Sequence, residues 1–402
     1  MVVFSSYPDD PRPRRAVEAL LQEGMQIDLI CEADENQKRR EAAGQLNVTR
    51  IPIRHIRGGV ISYAYQYSTF IFISAVMLAM RTLRHRYDLI YVHNMPDILV
   101  FSALVPKLFG AKVILDQHDP MPELMTTIFG KNRQSISVRL LRLLEKFSIG
   151  FADLVITVNV ACKRIFSSRS CDASKVGVVM NSPSEEVFPY RAAESYGARE
   201  TTKPFVIMYH GSLVERNGLG LAITAMKLLQ ATVPEAELRV YGRRSAFLDQ
   251  EMARARTLGL EGKVRYMGSR KLEDLAGEIE SCDIGVVPNL RNEFTEINTP
   301  TRIFEYLALG KPVIAPSTLG VCDYFAAESL VFFEAGEPDD LAKQLEFAAS
   351  HPLELIEIAR RGQRIYKKHT WSGERVTLVR LVRDLIAGKS SVETELATPK
   401  LN

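Results

Sequence analysis

The order of apolar runs along the chain constrains its fold more than any other feature. Short apolar runs alternate with longer segments of helical periodicity from residue 2 onward, and the same alternation starts again at residue 205. Strands separated by helices pair in parallel, because each helix returns the chain to the edge from which it left. The sequence therefore predicts an α/β protein with two parallel-sheet domains that face each other across a cleft.

Polar stretches set the expected domain boundaries. Residues 186–203 combine proline, glycine and mixed charge, which is typical of a linker. The first domain is then expected at 1–185 and the second at 204–371. The last residues, 389–402, are polar, and we expect them to be a disordered tail.

Composition and charge narrow the class of protein. The chain of 402 residues is 46% hydrophobic and 25% charged, as expected of a globular protein with two domains of ordinary size. A net charge of +3 is too small to indicate nucleic acid as a partner. The five cysteines are odd in number and form no CxxC pair, which favours a reducing compartment over a disulfide framework or a zinc site. Because Arg12 and its basic neighbours follow the first apolar run, we expect no signal peptide and a cytoplasmic protein.

One segment raises the question of membrane contact. Residues 61–80 are apolar and aromatic, and basic residues follow at 81–86. The length is close to the roughly 20 residues of a spanning helix, but serine, threonine and glutamine dilute it. A buried helix of the first domain is the simplest interpretation. The alternatives are a transmembrane span and a helix on the lipid surface, where 61–86 would hold the protein peripherally on the inner face of the cell membrane.

Residues 298–315 carry the strongest functional signal, in the pattern loop, helix, tight turn and strand. Pro300 suits the first turn of this helix, and Gly310 with the proline at 312 suits its end. Glu305 is an acid within the otherwise apolar helix, where a carboxylate is costly unless it has a partner. The free N–H groups and positive dipole end of the helix start suit a phosphate. The helix start and Glu305 together would hold a nucleotide sugar. The alternative is an amphipathic helix with one acid on its exposed rim.

This stretch resembles the donor-binding motif of the retaining glycosyltransferases of family 4, which have the GT-B fold. Residues 300–306, Pro-Thr-Arg-Ile-Phe-Glu-Tyr, resemble a subgroup with the pattern Pro-x-(Lys/Arg)-x-Phe-Glu-Tyr, and Gly-Lys-Pro-Val-Ile follows at 310–314. In the family, the glutamate at the position of Glu305 holds the ribose hydroxyls of the nucleotide. The resemblance implies two facing Rossmann-like domains, with the last helix, at about 372–388, packed back on the first.

One position departs from the family motif. The family has a first glutamate, then seven residues, then the second glutamate, and the first position is occupied here by Ile297. Glu296 and Glu293 lie one and four residues out of that register. Whether either of them replaces the missing carboxylate in sugar recognition is open from the sequence.

The loop after the apolar run 205–209 is expected to bind the diphosphate of the donor. The resemblance implies an arginine and a lysine there, but Ser212 and Asn217 occupy those positions, and Arg216 is the remaining cation. Arginine gives phosphate a two-pronged, permanently charged match; the alternative is a solvated surface arginine. Further donor contacts are expected from backbone N–H groups, hydroxyls and turn glycines, at Gly211, Ser212, Asn217, Gly242, Gly268, Asn298, Thr299, Thr301 and Arg302.

Histidines at strand ends are the candidates in the first domain. His118 follows the apolar run 112–116 among acids and prolines, at the kind of strand end where α/β proteins bind ligands. The resemblance implies that His118 lies against the donor sugar and the acceptor; the alternative is a cap for the next helix. His93 is an equal candidate for site or scaffold. The acids at 9–10 fall in a loop before a helix expected at 15–23 and are interpreted as ordering that turn, with a metal site as the alternative.

The predicted activity is transfer of a sugar from a nucleotide-diphosphate donor to a glycan or lipid-linked acceptor, as in cell-surface polysaccharide or glycolipid synthesis. Retention of configuration is implied by the resemblance, and UDP is expected because uracil is the commoner base in such enzymes. We expect no metal and no other cofactor, because Arg216, Arg302 and the N–H groups of residues 298–301 can neutralise the departing diphosphate. The alternative for Arg302, and for the nearby Lys311, is a side chain that points to solvent. His118, Arg216 and Glu305 are the predicted catalytic residues. The alternatives are a non-catalytic nucleotide-sugar-binding subunit and a GT-B nucleotide-sugar epimerase.

Overall fold

The computed structural model describes residues 1–34, 37–53, 60–193 and 204–389. Contacts between residues divide the chain into two compact units. The first unit comprises Met1–Met180 together with the chain from Arg375 onward, and the second comprises Asn181–Glu374. Residues 194–203 of the expected linker, and the expected tail from residue 390 onward, lie outside the described residues.

The first unit is built on an eight-stranded sheet. Its strands are β1 (Val2–Ser6), β2 (Ile27–Glu32), β3 (Arg40–Ala43), β4 (Leu46–Ile51), β5 (Leu89–His93), β6 (Lys112–Gln117), β7 (Leu154–Thr157) and β8 (Val176–Val178). They lie in the order β3-β4-β2-β1-β5-β6-β7-β8, and all neighbours pair in parallel except the β3–β4 hairpin. The edge strand β3 was not predicted, because it is exposed along its whole length and so has no apolar alternation.

Helices cover this sheet and connect its strands. They are α1 (Pro11–Gln22), α2 (Val60–Thr82), α3 (Leu104–Leu108), α4 (Met121–Phe129), α5 (Ile136–Phe151) and α6 (Val160–Arg169). A 3-10 helix, Asp97–Ala103, leads directly into α3.

The first helix begins four residues before its expected start at residue 15. The Asp10 side chain caps it by accepting a hydrogen bond from the backbone N–H of Arg12 at 3.2 Å. Pro11 and Pro13 fit the first turn, where the N–H that proline lacks would have no helical partner. The interpretation of the acids as turn and helix-start residues is therefore correct. Because the helix starts early, Arg12 is carried into the interior of the first unit, where it is 8% exposed.

The second unit is built on a six-stranded sheet. Its strands are β9 (Phe205–His210), β10 (Ala236–Tyr241), β11 (Val264–Gly268), β12 (Ile284–Val286), β13 (Val313–Pro316) and β14 (Val331–Phe333). All of them pair in parallel in the order β11-β10-β9-β12-β13-β14. Two parallel-sheet α/β units confirm the predicted fold class. Because the strands are parallel, their carboxyl ends meet at one edge, where the loops after β9, β10 and β12 lie side by side.

The connecting helices of the second unit complete its architecture. They are α7 (Leu219–Leu229), α8 (Ala246–Thr257), α9 (Leu272–Glu280), α10 (Thr301–Ala308), α11 (Leu319–Cys322), α12 (Pro338–Ser350) and α13 (Pro352–Tyr366). The helix α10 ends where the sequence predicted, because Gly310 follows it with a positive φ of 73° that other residues adopt only with strain.

The last helix, α14 (Trp371–Ile386), packs against the first unit from Arg375 onward. Arg383 Nη2 donates to Glu23 Oε2 at 2.6 Å, just after the end of α1. Leu381 lies against Gly177 of β8 so closely that a Cβ at residue 177 would be 2.7 Å from its methyl carbon.

The helix α2 is buried on one side only, so the expectation of a buried helix is half right. Gln66, Phe70, Ser74 and Leu78, spaced four residues apart, are buried. The opposite side exposes large apolar side chains, including Phe72 at 69%. No helix within the described parts of the chain is both long enough and apolar enough to cross a bilayer.

Candidate functional site

Glu305 lies at the carboxyl edge of the second sheet, on the face of α10 that meets the end of β9. Its Oε2 is 3.3 Å from Nε2 of His210, the last residue of β9, and its side chain is 13% exposed. The next residue, Tyr306, fixes the helix against the strand, because its hydroxyl donates to the carbonyl of Met208 at 2.7 Å. The carboxylate is therefore neither on an exposed rim nor fully enclosed, and α10 holds it rigidly beside the strand end.

His210 does not neutralise Glu305. Burial and the neighbouring charge of Arg302 lower the pKa of His210 to about 3, so its ring is neutral at physiological pH. Although the two side chains are close, Nε2 of His210 makes no hydrogen bond within the described part of the chain. A neutral, buried imidazole beside the acid leaves the negative charge of Glu305 without a fixed counter-charge from this ring.

Arg302 links α10 to two strand ends. Its Nη1 donates to the carbonyl of His210 at 2.8 Å, and its Nη2 donates to Oδ1 of buried Asn289 at 2.8 Å. The guanidinium carbon also lies 5.2 Å from the centre of the Tyr209 ring. By contrast, Lys311 is 1% exposed, so it does not point to solvent as the sequence analysis had allowed. Of the two cations that flank Glu305, Arg302 is the one that reaches the loop after β9.

Arg216 lies in the loop after β9, within the 3-10 turn Glu215–Asn217. It is half-buried, with its guanidinium carbon 5.8 Å from the centre of the Phe294 ring. Burial raises the pKa of the Tyr209 phenol, and the positive charges of Arg302 and Arg216 both oppose that rise. Arg302 lies over the Tyr209 ring and Arg216 lies in the loop that follows β9, so the structure brings the two predicted cations to one end of this strand.

Two N–H groups of the predicted donor loops already have backbone partners. The N–H of Gly211 donates to the carbonyl of Tyr241 at 3.1 Å, and the N–H of Asn298 donates to the carbonyl of Thr295 at 3.3 Å. Neither is then available to a phosphate without breaking that bond. The helix start remains a candidate, since no side chain in the described chain caps α10, which begins at Thr301.

The polar side chains of these loops are also engaged in shaping them. Asn217 Nδ2 donates to the carbonyl of Ser212 at 2.8 Å, which closes the loop after β9. The Thr299 hydroxyl donates to the carbonyl of Gly320 at 2.6 Å and ties the loop before α10 to α11. Ser212 itself is exposed. Ligand contacts from these residues stay predictions.

The predicted glycines Gly242 and Gly268 lie side by side in the turns after β10 and at the end of β11. The N–H of Gly242 donates to the carbonyl of Gly268 at 3.1 Å. A Cβ at residue 242 would overlap the carbonyl oxygen of Gly211, so only glycine allows the turn after β10 to approach the loop after β9 this closely. This approach explains the glycine at 242, and contact of Gly242 and Gly268 with a nucleotide stays a prediction.

Glu296 serves the scaffold of the second unit. Its Oε2 accepts from Arg291 Nε at 3.0 Å, and its Oε1 accepts from the backbone N–H of Leu319, the first residue of α11, at 3.2 Å. Ile297, at the position of the missing glutamate, is 8% exposed. Glu293 is half-exposed in the same loop, and its role stays open.

A buried ionic cluster lies at the carboxyl ends of β5 and β6 in the first unit. Asp116 is 1% exposed and accepts hydrogen bonds from Arg12 Nε and Nη2, at 3.0 and 2.6 Å, and from the Tyr91 hydroxyl at 2.9 Å. His93 Nδ1 lies 3.2 Å from the same carboxylate, and His93 is fully buried. Burial raises the pKa of Asp116, but the Arg12 charge and the histidine contact outweigh it and hold that pKa below its usual range. His93 is thus part of the scaffold.

His118 follows β6 and is fixed through its backbone. Its N–H donates to Asn94 Oδ1 at 3.0 Å, while Asn94 Nδ2 donates to Gln117 Oε1 at 2.7 Å and to the carbonyl of Asp119 at 2.8 Å. The ring of His118 lies 6.1 Å from that of His93, and burial lowers the pKa of His118 although Asp116 opposes this. No side chain caps α4 in the described structure, so the alternative of a capping histidine is wrong.

Sequence reasoning missed several residues that hold these sites together. Arg12 was placed in a loop, although the Asp-Pro-Arg-Pro order was a usable helix-start signal. Asn94 directly follows the candidate His93, so its position after a strand was a usable signal. Tyr91 and Asn289 offered no signal, because nothing local shows what a strand residue faces. Among the described residues, no group of three or more histidines, cysteines or acids is placed to hold a metal ion.

These two units have the architecture of GT-B glycosyltransferases, and comparison with known proteins gives the same class. Residues 11–182 match the family model of the glycosyl transferase 4-like domain, and residues 204–351 match that of glycosyl transferases group 1. Each unit thus carries a glycosyltransferase domain, and the chain is an enzyme of the glycosyltransferase class.

One curated relative is the probable glycosyltransferase WbjE of Pseudomonas aeruginosa, which is 22% identical over 254 residues. The alignment covers 61% of this chain, and the chain spans 60% of the length of that relative.

Solved structures of two bacterial proteins share the fold. Sucrose-phosphate synthase from Thermosynechococcus elongatus aligns with a TM-score of 0.76 at 17% identity, over 96% of this chain and 99% of that one. HepE from Anabaena, in complex with UDP-glucose, aligns with a TM-score of 0.70 at 16% identity, over 95% of this chain and 99% of that one.

Proposed function

We propose that this enzyme transfers a sugar from a UDP-sugar to a glycan or lipid-linked acceptor, with the donor bound at the carboxyl edge of the second sheet. The observation that carries the proposal is the convergence at the end of β9, where the carboxylate of Glu305 lies close to His210 and Arg302 lies over the Tyr209 ring, with Arg216 in the loop that follows. A carboxylate and cations on adjoining loops match the two parts of a nucleoside diphosphate, its hydroxyls and its phosphates. The HepE complex with UDP-glucose supports UDP as the nucleotide.

Glu305 would accept hydrogen bonds from the ribose hydroxyls. The neutral ring of His210 suits this role, because it places no permanent positive charge beside the carboxylate. Rigid attachment of α10 through Tyr306 would keep the acceptor oxygens in place before the ligand arrives, so little ordering cost remains for binding.

Arg216 and the uncapped start of α10 would stabilise the diphosphate as it leaves. Negative charge develops on the leaving phosphate when the sugar bond breaks, and donors already fixed in position stabilise it without rearrangement. Arg302 is held by the His210 carbonyl and Asn289, so it would stabilise the diphosphate mainly through its positive charge and its remaining N–H groups. We propose that this positive charge makes the reaction independent of a metal ion.

His118 would contact the donor sugar and the acceptor, as the family resemblance implies. Its backbone is locked by Asn94, and burial favours the neutral form of the ring, which can both donate and accept a hydrogen bond. We propose retention of configuration at the anomeric carbon, as the family resemblance implies. Synthesis of cell-surface polysaccharide or glycolipid is the setting that such an acceptor fits.

Calorimetric titration with UDP, GDP and UDP-sugars, followed by an assay of nucleotide release with and without glycan or lipid extract, tests this function. We expect UDP to bind to the wild-type chain and release to depend on acceptor. Glu305→Ala should lower turnover at least tenfold, about 1.4 kcal/mol in the barrier, because the ribose loses its charged partner. A matched control is Glu261→Ala, which removes an exposed turn acid of the same unit. UDP binding without any release, or full activity of Glu305→Ala, would contradict the proposal.

A further inference from the structure

Exposed apolar side chains are concentrated on one part of the first unit. Of the 22 large apolar residues that are exposed in the described chain, 15 lie between residues 65 and 147. They belong to α2 and its end, to the segment 97–109, and to α4 and α5. They are Tyr65, Phe72, Val76, Met80, Leu83, Phe101, Leu104, Leu108, Phe109, Ile128, Phe129, Ile136, Leu140, Leu143 and Phe147. We refer to these residues as the apolar face.

The elements that carry the apolar face are contiguous. The helix α2 packs against the 3-10 helix Asp97–Ala103 and against α3. The same 3-10 helix also packs against α5, and α5 packs against α4. Phe101 and Phe151 mark the junction, with ring centres 5.2 Å apart. The exposed apolar side chains therefore lie on neighbouring elements, and a large exposed apolar surface is uncommon on a monomeric protein and indicates a binding partner.

The helix α5 displays the most regular part of this face. Ile136, Leu140, Leu143 and Phe147 are 86%, 52%, 49% and 59% exposed, and their spacing of four, three and four residues places them on one stripe. The opposite side of α5, with fully buried Glu145, is anchored to Arg169 of α6. The stripe is thus held outward by a rigid helix.

The charged residues around the apolar face are almost entirely basic. Exposed Arg139 and Lys146 flank the stripe on α5, and further exposed cations precede α5 and follow α2, at Arg84, Arg86, Lys131 and Arg133. Six acids lie between residues 60 and 152, and four of them are buried: Asp97, Asp116, Glu123 and Glu145. Asp119 is half-buried, so Asp88 is the one fully exposed acid there.

We propose that the apolar face docks on an anionic lipid bilayer. Apolar side chains on rigid helices would enter the headgroup region, while the flanking arginines and lysines would meet negative headgroups. A second copy of this chain fits less well, because a two-fold contact would set the same basic surface against itself. The inference does not depend on the proposed sugar transfer, since it concerns a surface of the first unit alone.

Sedimentation of the full chain with vesicles tests this docking. Vesicles of phosphatidylcholine alone are compared with vesicles that contain about 30% phosphatidylglycerol, at low and high salt. We expect binding to the anionic vesicles that weakens at high salt. Leu140→Glu combined with Phe147→Glu should weaken this binding at least tenfold. Leu228→Glu combined with Leu353→Glu, which changes two exposed leucines of the second unit, is the matched control and should bind as the wild type does.

Three results would overturn the proposal. The first is equal, negligible binding of the wild type to both kinds of vesicle. The second is unchanged binding of the Leu140→Glu, Phe147→Glu variant when its circular dichroism melt matches the wild type. The third is a wild type that is dimeric in light scattering and does not bind vesicles, together with a variant that is monomeric. That result would assign the apolar face to a second copy of the chain. Calorimetric UDP binding by the same variant separates docking from the proposed transfer, because loss of docking should leave donor binding intact.

Discussion

Removal of Arg12 is expected to cost far more stability than removal of an ordinary surface arginine. Arg12 is the cation that compensates Asp116, and both residues are buried inside the first unit. Arg12→Ala would leave the carboxylate there beside Tyr91 and His93, without its arginine. A buried charge left without its ion-pair partner typically costs about 3–5 kcal/mol. For a unit of this size, that cost corresponds to a fall in melting temperature of about 6–20 °C.

The pH dependence of this loss follows from the sign of the pKa shifts. In the wild type the pKa of Asp116 lies below its usual value, so its contribution to stability is present above that value and is lost only in strong acid. In Arg12→Ala, burial would instead raise the pKa of Asp116, and protonation would relieve the penalty as the pH falls. The deficit in melting temperature should therefore be larger at pH 8 than at pH 5.

Scanning calorimetry at the two pH values measures this deficit. The double variant Arg12→Ala, Asp116→Asn should recover part of the loss, because an amide needs no counter-charge, and its deficit should not vary with pH. Arg14→Ala, which removes an exposed arginine paired with Glu18, is the control and should change stability by less than about 1 kcal/mol. A cost for Arg12→Ala no larger than that of Arg14→Ala, or no recovery in the double variant, would refute the reasoning.

Two further predictions concern the proposed donor site. Arg216→Ala should lower turnover at least tenfold, because the departing diphosphate loses a cation. Arg244→Ala, which removes an exposed arginine of the same unit, is the control and should not lower turnover. Full activity of Arg216→Ala in the nucleotide-release assay would count against the site. His118→Ala should keep donor binding in calorimetry but lower turnover, since the histidine lies in the first unit and Glu305 lies in the second. Loss of UDP binding by this variant would contradict the role given to His118.

The donor-side elements could be predicted because their signals are local. Pro300 and Gly310 bracket α10 within eleven residues, and the spacing of its apolar residues gives the buried side, so helix and strand follow from a short stretch. The apolar runs similarly fixed both sheets. Among the described strands, β3 was not predicted, because this exposed hairpin strand has no apolar side that would indicate its pairing.

The contacts across the sheets could not be predicted from one sequence. Arg12 and Asp116 are 104 residues apart, and the sequence alone does not show which strand end receives which side chain. The N–H of Gly211 seemed available to phosphate, but the register of β9 and β10 gives it to Tyr241. The half-exposed state of α2 likewise depends on what packs against it, and its own composition is apolar on both sides.

The return of α14 to the first unit has a consequence for how the chain folds during synthesis. The second unit is continuous in sequence and is completely translated once residue 374 has left the ribosome. The first unit must wait for the last helix, although most of it is translated earlier, so it spends the whole translation of the second unit with the surface around Gly177 uncovered. The first unit therefore completes its fold after the second, which reverses the usual order in which amino-terminal domains fold first.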